Sequence, residues 1–345
     1  MNNLFIMHTQ YNLILASAII SRHSNDNNVL VLFAEFTVKS SYIEQLERIY
    51  NKVIIANDTF KKFSSKKSKL DFIKKCVKKC SSIFNDVYDN VYLSQEREFD
   101  LILLNKMKKN NKKLVSYNVE EDAYYSINNK FNAPNYVHKV TLGEKLKNFL
   151  KYCYLFKYKY DYKEPCYCYG MYSGHKGANL LFPELARKEL CEKNNIEITS
   201  EELIYGIKSL YSSETLNYPR GQKYFLVFFD LVSRYRNKSA VIGVIKDMVG
   251  FAQKDGYTVI LKYHPRETEK IFEFKDLYEV DNTIPAEKLL LDMLGKEVAV
   301  LGNATTSVVV AAKLGYKVYS ICSIDAPENT TMKEVMTRMG INCIV

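Results

Sequence analysis

Short runs of apolar, β-prone residues recur in the first half of the chain at 4–7, 29–33, 52–56, 90–93 and 113–119. Between them lie segments of helical character at 13–22, 42–50, 66–83 and 99–109. Strand and helix in strict alternation imply right-handed βαβ units and a parallel sheet. The second half repeats the pattern, with strands expected over 224–229, 258–263, 298–301 and 317–321 and helices over 241–254, 286–294 and 305–314. Gly256 and Gly315 each follow a helix, where a left-handed cap residue is wanted. Residues 194–222 are polar and less regular, with Thr199, Ser200, Ser212, Ser213 and Pro219, so the boundary between two domains, 1–200 and 201–345, is expected there. The fold class that follows is α/β, two parallel-sheet domains with a cleft between the carboxyl ends of their strands, where such sheets bind ligands.

Length and composition fit that division. A chain of 345 residues, 47% hydrophobic and 26% charged, buries cores for two domains and matches neither a disordered nor a membrane-bundle class. No apolar run reaches the roughly 18 residues of a spanning helix. The stretch 1–20 has no basic leader, and His8, Thr9, Gln10 and Asn12 interrupt it, so a strand and helix are expected there rather than a signal peptide. Cys76, Cys80, Cys153, Cys166, Cys168, Cys191, Cys322 and Cys343 lack metal-ligand spacing, and reduced thiols in a cytoplasm are expected.

The net charge of +10 gathers at 61–79, 106–113 and 145–163 and would draw an anionic partner. A solvated helix face is the plainer account of 61–79. In 145–163, where tyrosines interleave with lysines, contact with an anionic membrane surface stands level with it.

The chain has no P-loop, G-x-G-x-x-G, G-x-S-x-G or H-E-x-x-H motif, so nucleotide hydrolysis, dinucleotide redox, serine hydrolysis and zinc proteolysis lose support. Three strand ends carry candidate chemistry instead. In Lys262-Tyr263-His264-Pro265-Arg266-Glu267, Pro265 biases His264 toward an extended turn, where it would donate a proton or hydrogen bond to a phosphate oxygen; a surface turn is the alternative. In Glu120-Glu121-Asp122-Ala123, adjacent carboxylates raise one another's pKa and suit a general base; an acidic helix N-cap is the alternative. In Gly302-Asn303-Ala304-Thr305-Thr306-Ser307, hydroxyls and free amides at a helix start make a phosphate seat without a metal; a simple N-cap is the alternative. His8, in the first strand-to-helix turn, is a weaker candidate for touching donor or acceptor, and Gly174-His175-Lys176-Gly177 for lining the acceptor side.

These positions resemble the motifs of bacterial sialyltransferases. His264-Pro265 is similar to their HP motif, Glu121-Asp122-Ala123 to their D/E-D/E-G motif and Thr305-Thr306-Ser307 to their paired Ser/Thr motif. The opening 4–13 and Pro285-Ala286-Glu287 resemble family 52, the lipooligosaccharide sialyltransferases, so the resemblance spans almost the whole chain. It implies a GT-B fold of two Rossmann-like domains and an inverting transfer from CMP-N-acetylneuraminic acid. Glu121 would be general base with Asp122 as neighbour and fallback, and His264 acid or phosphate partner, with Pro265 beside it. Glu287 would bind ribose, and Thr305, Thr306 and Ser307 the phosphate. Ala123 departs from the motif glycine, and if that position needs a positive φ, alanine there costs about 1 kcal/mol or shifts the turn.

No resident cofactor or metal is expected, because a monophosphate leaving group carries less charge than a diphosphate and the chain has no Asp-x-Asp. The partners expected are the CMP-sugar donor and a glycan acceptor, a galactoside of lipooligosaccharide or capsule, with nucleic acid not among them. A homodimer is allowed but not required. The place expected is the cytoplasm or the inner face of the cell membrane. The rivals are a transferase of the same fold using CMP-Kdo or another CMP-nonulosonate, and a basic glycan- or nucleic-acid-binding protein without catalysis.

Overall fold

The computed structural model describes residues 1–59, 61–94, 98–108, 115–118, 177–185, 194–211, 216–268, 270–274 and 277–345, with isolated pieces at 137–138, 143, 146 and 166–167. The chain divides into two compact units, Met1–Ile198 and Thr199–Val345.

The first unit carries strands β1 (Asn2–Met7), β2 (Asn27–Phe33), β3 (Lys52–Asn57), β4 (Asn90–Leu93), β5 (Val115–Asn118), β8 (Gly177–Leu180) and β9 (Asn194–Glu197). They form one parallel sheet in the order β3-β2-β1-β4-β5-β8-β9. Two short strands, β6 (Val137–His138) and β7 (Cys166–Tyr167), pair antiparallel apart from it. Helices α1 (Gln10–Ile20), α2 (Ser40–Ile49), α3 (Lys66–Lys79) and α4 (Glu98–Lys108) supply crossovers. Successive side chains of a strand point to opposite faces. On one face Leu4, Ile6, Val29, Val31, Val91 and Leu93 pack with Ile73, Val77, Phe99 and Leu103 of α3 and α4; on the other Phe5 stacks on Tyr92 with ring centroids 4.6 Å apart. Each such side chain contributes about 2 kcal/mol on leaving water. Lys67, Lys69, Lys74, Lys75, Lys78 and Lys79 of α3 stand exposed opposite buried Ile73, Cys76 and Val77, with buried Cys80 just past the helix, the solvated-face arrangement.

The second unit begins with helix α5 (Ser200–Tyr211) and carries β10 (Lys223–Phe228), β11 (Thr258–Lys262), β12 (Tyr278–Val280), β13 (Glu297–Gly302), β14 (Lys317–Ser320) and β15 (Asn342–Cys343). All pair parallel in the order β12-β11-β10-β13-β14-β15. The helices are α6 (Lys238–Lys254), α7 (Ala286–Asp292), α8 (Thr306–Lys313), α9 (Cys322–Asp325) and α10 (Thr330–Arg338). Phe225, Val227, Val259, Leu261, Ala299 and Leu301 meet Val241, Ile245 and Val249 of α6 in the core. Gly256 and Gly315 close α6 and α8 with φ of 77° and 83°, the left-handed geometry expected of them.

Both sheets place the first strand centrally, run outward through the second and third, then return to the other side, the Rossmann order. Element bounds differ from the sequence-based expectations in three places. The stretch 194–222, expected to be less regular, contains β9 and α5, and the division between the units, at Ile198–Thr199, lies inside it, two residues before the 200–201 division expected. The helix expected over 66–83 ends at Lys79, and Ser81–Ile83 forms a separate 3-10 turn. The helix expected over 305–314 is Thr306–Lys313, with Thr305 as its N-cap residue.

Candidate active site

The register of the second sheet sets its candidate residues on one line. Phe228 at the end of β10 pairs with Lys262 at the end of β11 and with Gly302 at the end of β13, and Gly302 pairs with Ser320 at the end of β14. Because the strand order reverses between β10 and β13, the loops after these two strands diverge and leave a crevice, the ligand position of open parallel sheets. The turn carrying His264 follows β11 on the far side of β10, and the turn 303–307 follows β13.

The backbone holds His264 firmly. Tyr263 before it is 2% exposed and stacks on Phe229 at 4.5 Å between centroids, joining the loops after β10 and β11. The Ile271 amide donates to the Tyr263 hydroxyl at 3.3 Å, the Phe229 amide to the Lys262 carbonyl at 2.9 Å, and the Glu267 amide to the His264 carbonyl at 2.9 Å. Most telling, the Arg266 amide donates to His264 Nδ1 at 3.1 Å. With Nδ1 accepting, the proton of a neutral ring sits on Nε2. Burial of the half-exposed ring pushes its pKa below the ordinary value; Asp230 opposes this, and the Arg266 and Arg234 guanidiniums add to it. His264 is thus set as a neutral Nε2–H donor. Pro265 is exposed and fixes the turn.

The turn after β13 is tightly built. A Cβ on Gly302 would lie 2.7 Å from Val308 Cγ2 and 3.1 Å from the Phe228 carbonyl oxygen, so only glycine lets α8 pack this close to the strand end. Asn303 Oδ1 accepts from the Ala304 amide at 2.9 Å, and the Asn303 carbonyl from the Thr305 amide at 2.9 Å. Thr305 occupies the N-cap position with extended φ and ψ, yet its hydroxyl makes no cap bond, and Thr305 Oγ1 is buried without a partner. The simple N-cap alternative is therefore not realised. Thr306 and Ser307 are half-buried in the first turn, where amides lack intrahelical acceptors and the helix dipole favours an anion.

Glu287 lies in the first turn of α7 and is 6% exposed. Burial raises its pKa, partly offset by its own backbone amide and by the Lys262 ammonium. Lys262, 3% exposed, donates from Nζ to the Tyr263 carbonyl at 2.7 Å and the Asn282 carbonyl at 3.2 Å, and burial lowers its pKa to about 8. Lys262, at the end of β11, and Glu287, in the first turn of α7, are thus two buried groups that influence one another electrostatically, a coupling the sequence pattern did not show.

In the first unit His8 follows β1 at the corresponding order reversal, between β1 and β4. The weaker candidate for touching donor or acceptor, it is fully buried, with Nε2 2.7 Å from Asp100 Oδ1 of α4. Glu121, Asp122 and Ala123 lie outside the described residues, as does most of 145–163; of Gly174-His175-Lys176-Gly177 only Gly177, which opens β8, is described. Among the described residues no group of three His, Cys, Asp or Glu could hold a metal ion, and no helix is long and apolar enough to cross a membrane.

A family model matches residues 3–323 of the chain, that of the alpha-2,8-polysialyltransferases. The chain belongs to the alpha-2,8-polysialyltransferase family. It is accordingly a glycosyltransferase of the sialyltransferase class, the class to which the motifs pointed, though the family shown is the polysialyltransferases where the motif resemblance named family 52. A search among curated protein sequences finds no match. Solved structures with the same fold include UDP-GlcNAc 2-epimerase from Neisseria meningitidis bound to UDP-GlcNAc, at 10% identity and TM-score 0.55, covering 99% of this chain and 87% of that one. Another is the Methanocaldococcus jannaschii UDP-GlcNAc 2-epimerase in complex with UDP-GlcNAc and UDP, at 12% identity and TM-score 0.54, covering 100% and 89%. With the two Rossmann-ordered sheets, they establish a GT-B fold for this member of the family.

Proposed function

We propose that this chain transfers N-acetylneuraminic acid from CMP-N-acetylneuraminic acid to the terminal sugar of a surface glycan, with inversion and without a metal. The observation that carries the proposal is the pair of turns flanking β10, one presenting His264 and the other Thr305, Thr306 and Ser307, in a polysialyltransferase family member. In this reading the donor's phosphate rests on the Thr306 and Ser307 amides and the hydroxyls of 305–307. The His264 Nε2–H donates to a phosphate oxygen as the bond from anomeric carbon to phosphate breaks, stabilising the charge that develops there. Glu121 takes the proton of the attacking acceptor hydroxyl, with Asp122 as fallback, through an oxocarbenium-like state. Glu287 supports the ribose side through its first-turn position. A monophosphate leaving group needs no metal clamp.

For the acceptor, two sources differ. The resemblance to family 52 implies a galactoside of lipooligosaccharide or capsule; the family's description names an α-2,8 linkage to sialic acid. A net charge of +10 favours the polyanionic acceptor, a chain already ending in sialic acid. The experiment is CMP release from purified full-length protein with CMP-N-acetylneuraminic acid in EDTA, offered a lactoside in one arm and a sialyl-lactoside in the other. Turnover on either acceptor, lost in Glu121→Ala and His264→Ala, supports the transfer and identifies the acceptor. CMP binding without turnover on both would overturn it in favour of another donor, such as CMP-Kdo, or a glycan-binding role. Contact with an anionic membrane surface and a homodimer belong to the same proposal, and vesicle sedimentation and light scattering test them.

A further inference from the structure

We propose that Asp325 is a positioning residue for the donor phosphate, the clasp that fixes the spacing between the two loops bounding the crevice of the second sheet. The proposal rests on the reading of 303–307 as the phosphate seat. Asp325 closes the one-turn helix α9, directly after β14, and is 8% exposed. Its Oδ1 accepts from the Arg236 amide at 2.8 Å and the Asn237 amide at 3.3 Å, both on the loop that leaves β10 and enters α6. Its Oδ2 accepts from Asn303 Nδ2 at 3.0 Å, on the loop that leaves β13. One carboxylate therefore bonds both sides of the order reversal.

The support behind it is rigid. The Ile321 amide donates to the Gly302 carbonyl at 2.9 Å, continuing the β13–β14 ladder past the strand ends, and the Asp325 amide donates to the Ile321 carbonyl at 3.0 Å. From Asp325 the chain of bonds runs through Asn303, whose Oδ1 holds the Ala304 amide and whose carbonyl holds the Thr305 amide. Orientation of the Thr306 and Ser307 amides is thereby set from a point outside the seat itself. Three donors converge on the side chain, and the two carboxylate oxygens accept from them all. Asparagine at the position offers one oxygen and sets its own NH2 against that of Asn303.

The test compares wild type, Asp325→Asn, Asp325→Ala and Asn303→Ala, with CMP alone as calorimetric ligand and with kcat and KM measured separately for donor and acceptor. A clasp predicts that Asp325→Ala weakens CMP binding and raises donor KM about tenfold or more, with acceptor KM unchanged. Asp325→Asn falls between, and Asn303→Ala reproduces the loss without adding to it in the double variant. A merely structural Asp325 lowers the melting temperature but leaves CMP affinity of the folded protein within about twofold of wild type, and that result overturns the proposal. If Asp325→Ala does not fold, CMP affinity of the variant at half-buried Asn303, Asn303→Ala, decides between the same two outcomes. Wild type that fails to bind CMP at all would remove the phosphate-seat reading instead, and this proposal with it.

Discussion

The tautomer of His264 makes a prediction about the sign of a pH profile. A catalytic acid must carry a proton to give; a neutral ring donating through Nε2 keeps that donor when Nδ1 is protonated, but the second proton breaks the Arg266 amide contact that orients the ring. The Arg266 amide donating to Nδ1 at 3.1 Å would oppose an imidazolium proton on that nitrogen, and burial lowers the pKa below its ordinary 6.5. A group with a pKa under 6.5 is cationic in fewer than about a quarter of molecules at pH 7. A neutral donor therefore gives a kcat that is flat above neutrality and declines only as pH falls through a midpoint below 6.5. Removing one donor aimed at developing charge costs about 10²–10³ in kcat. The assay is CMP release at saturating donor and acceptor from pH 5 to 9, with His264→Ala and His264→Asn alongside. His264→Ala should lose that factor; His264→Asn, which keeps an N–H but does not titrate, should recover some of the rate, and the histidine's acid limb should be absent from both. A kcat that instead falls as pH rises through 6.5, or a His264→Ala enzyme within a few-fold of wild type, would refute the reasoning.

Gly302→Ala puts a methyl 2.7 Å from Val308 Cγ2 and should cost about 1–3 kcal/mol by urea denaturation; an unchanged midpoint would mean α8 can retreat freely from the strand. Lys262 titrates near 8 when folded and near 10.5 when unfolded, so between those values the unfolded chain binds more protons and stability rises with pH. That rise, about 3 kcal/mol if fully developed, should be missing from Lys262→Met, and parallel stability curves for the two proteins from pH 7.5 to 10 would dismiss it. Asp100→Ala strips the fully buried His8 of its Nε2 partner, and His8 Nδ1 has none. A loss of about 1–3 kcal/mol is expected, smaller in Asp100→Asn, which keeps an acceptor; equal melting temperatures for wild type and Asp100→Ala would show that water replaces the bond.

What could be read from the chain was local. The strand runs at 4–7, 29–33 and 224–229 and the helices between them needed only period and composition, and the candidate turns at 264 and 305 needed only their place after a strand. Helix α5 was missed because polar residues masked its stripe of Leu203, Ile207 and Leu210, although Thr199 and Glu202 announce its start: the Thr199 amide donates to Glu202 Oε2 at 2.8 Å and the Glu202 amide to Thr199 Oγ1 at 3.3 Å, a capping box. The short edge strands β12 and β15 carry too few residues for a periodic signal. Asp325 is a different kind of miss. Nothing near it in sequence marks it, because its partners sit at 236, 237 and 303 and meet only once the strand order has set β13 between β10 and β14. A residue that touches a ligand can be suspected from its own turn; a residue that sets the distance between two turns is defined by the topology, and only the folded sheet reveals it.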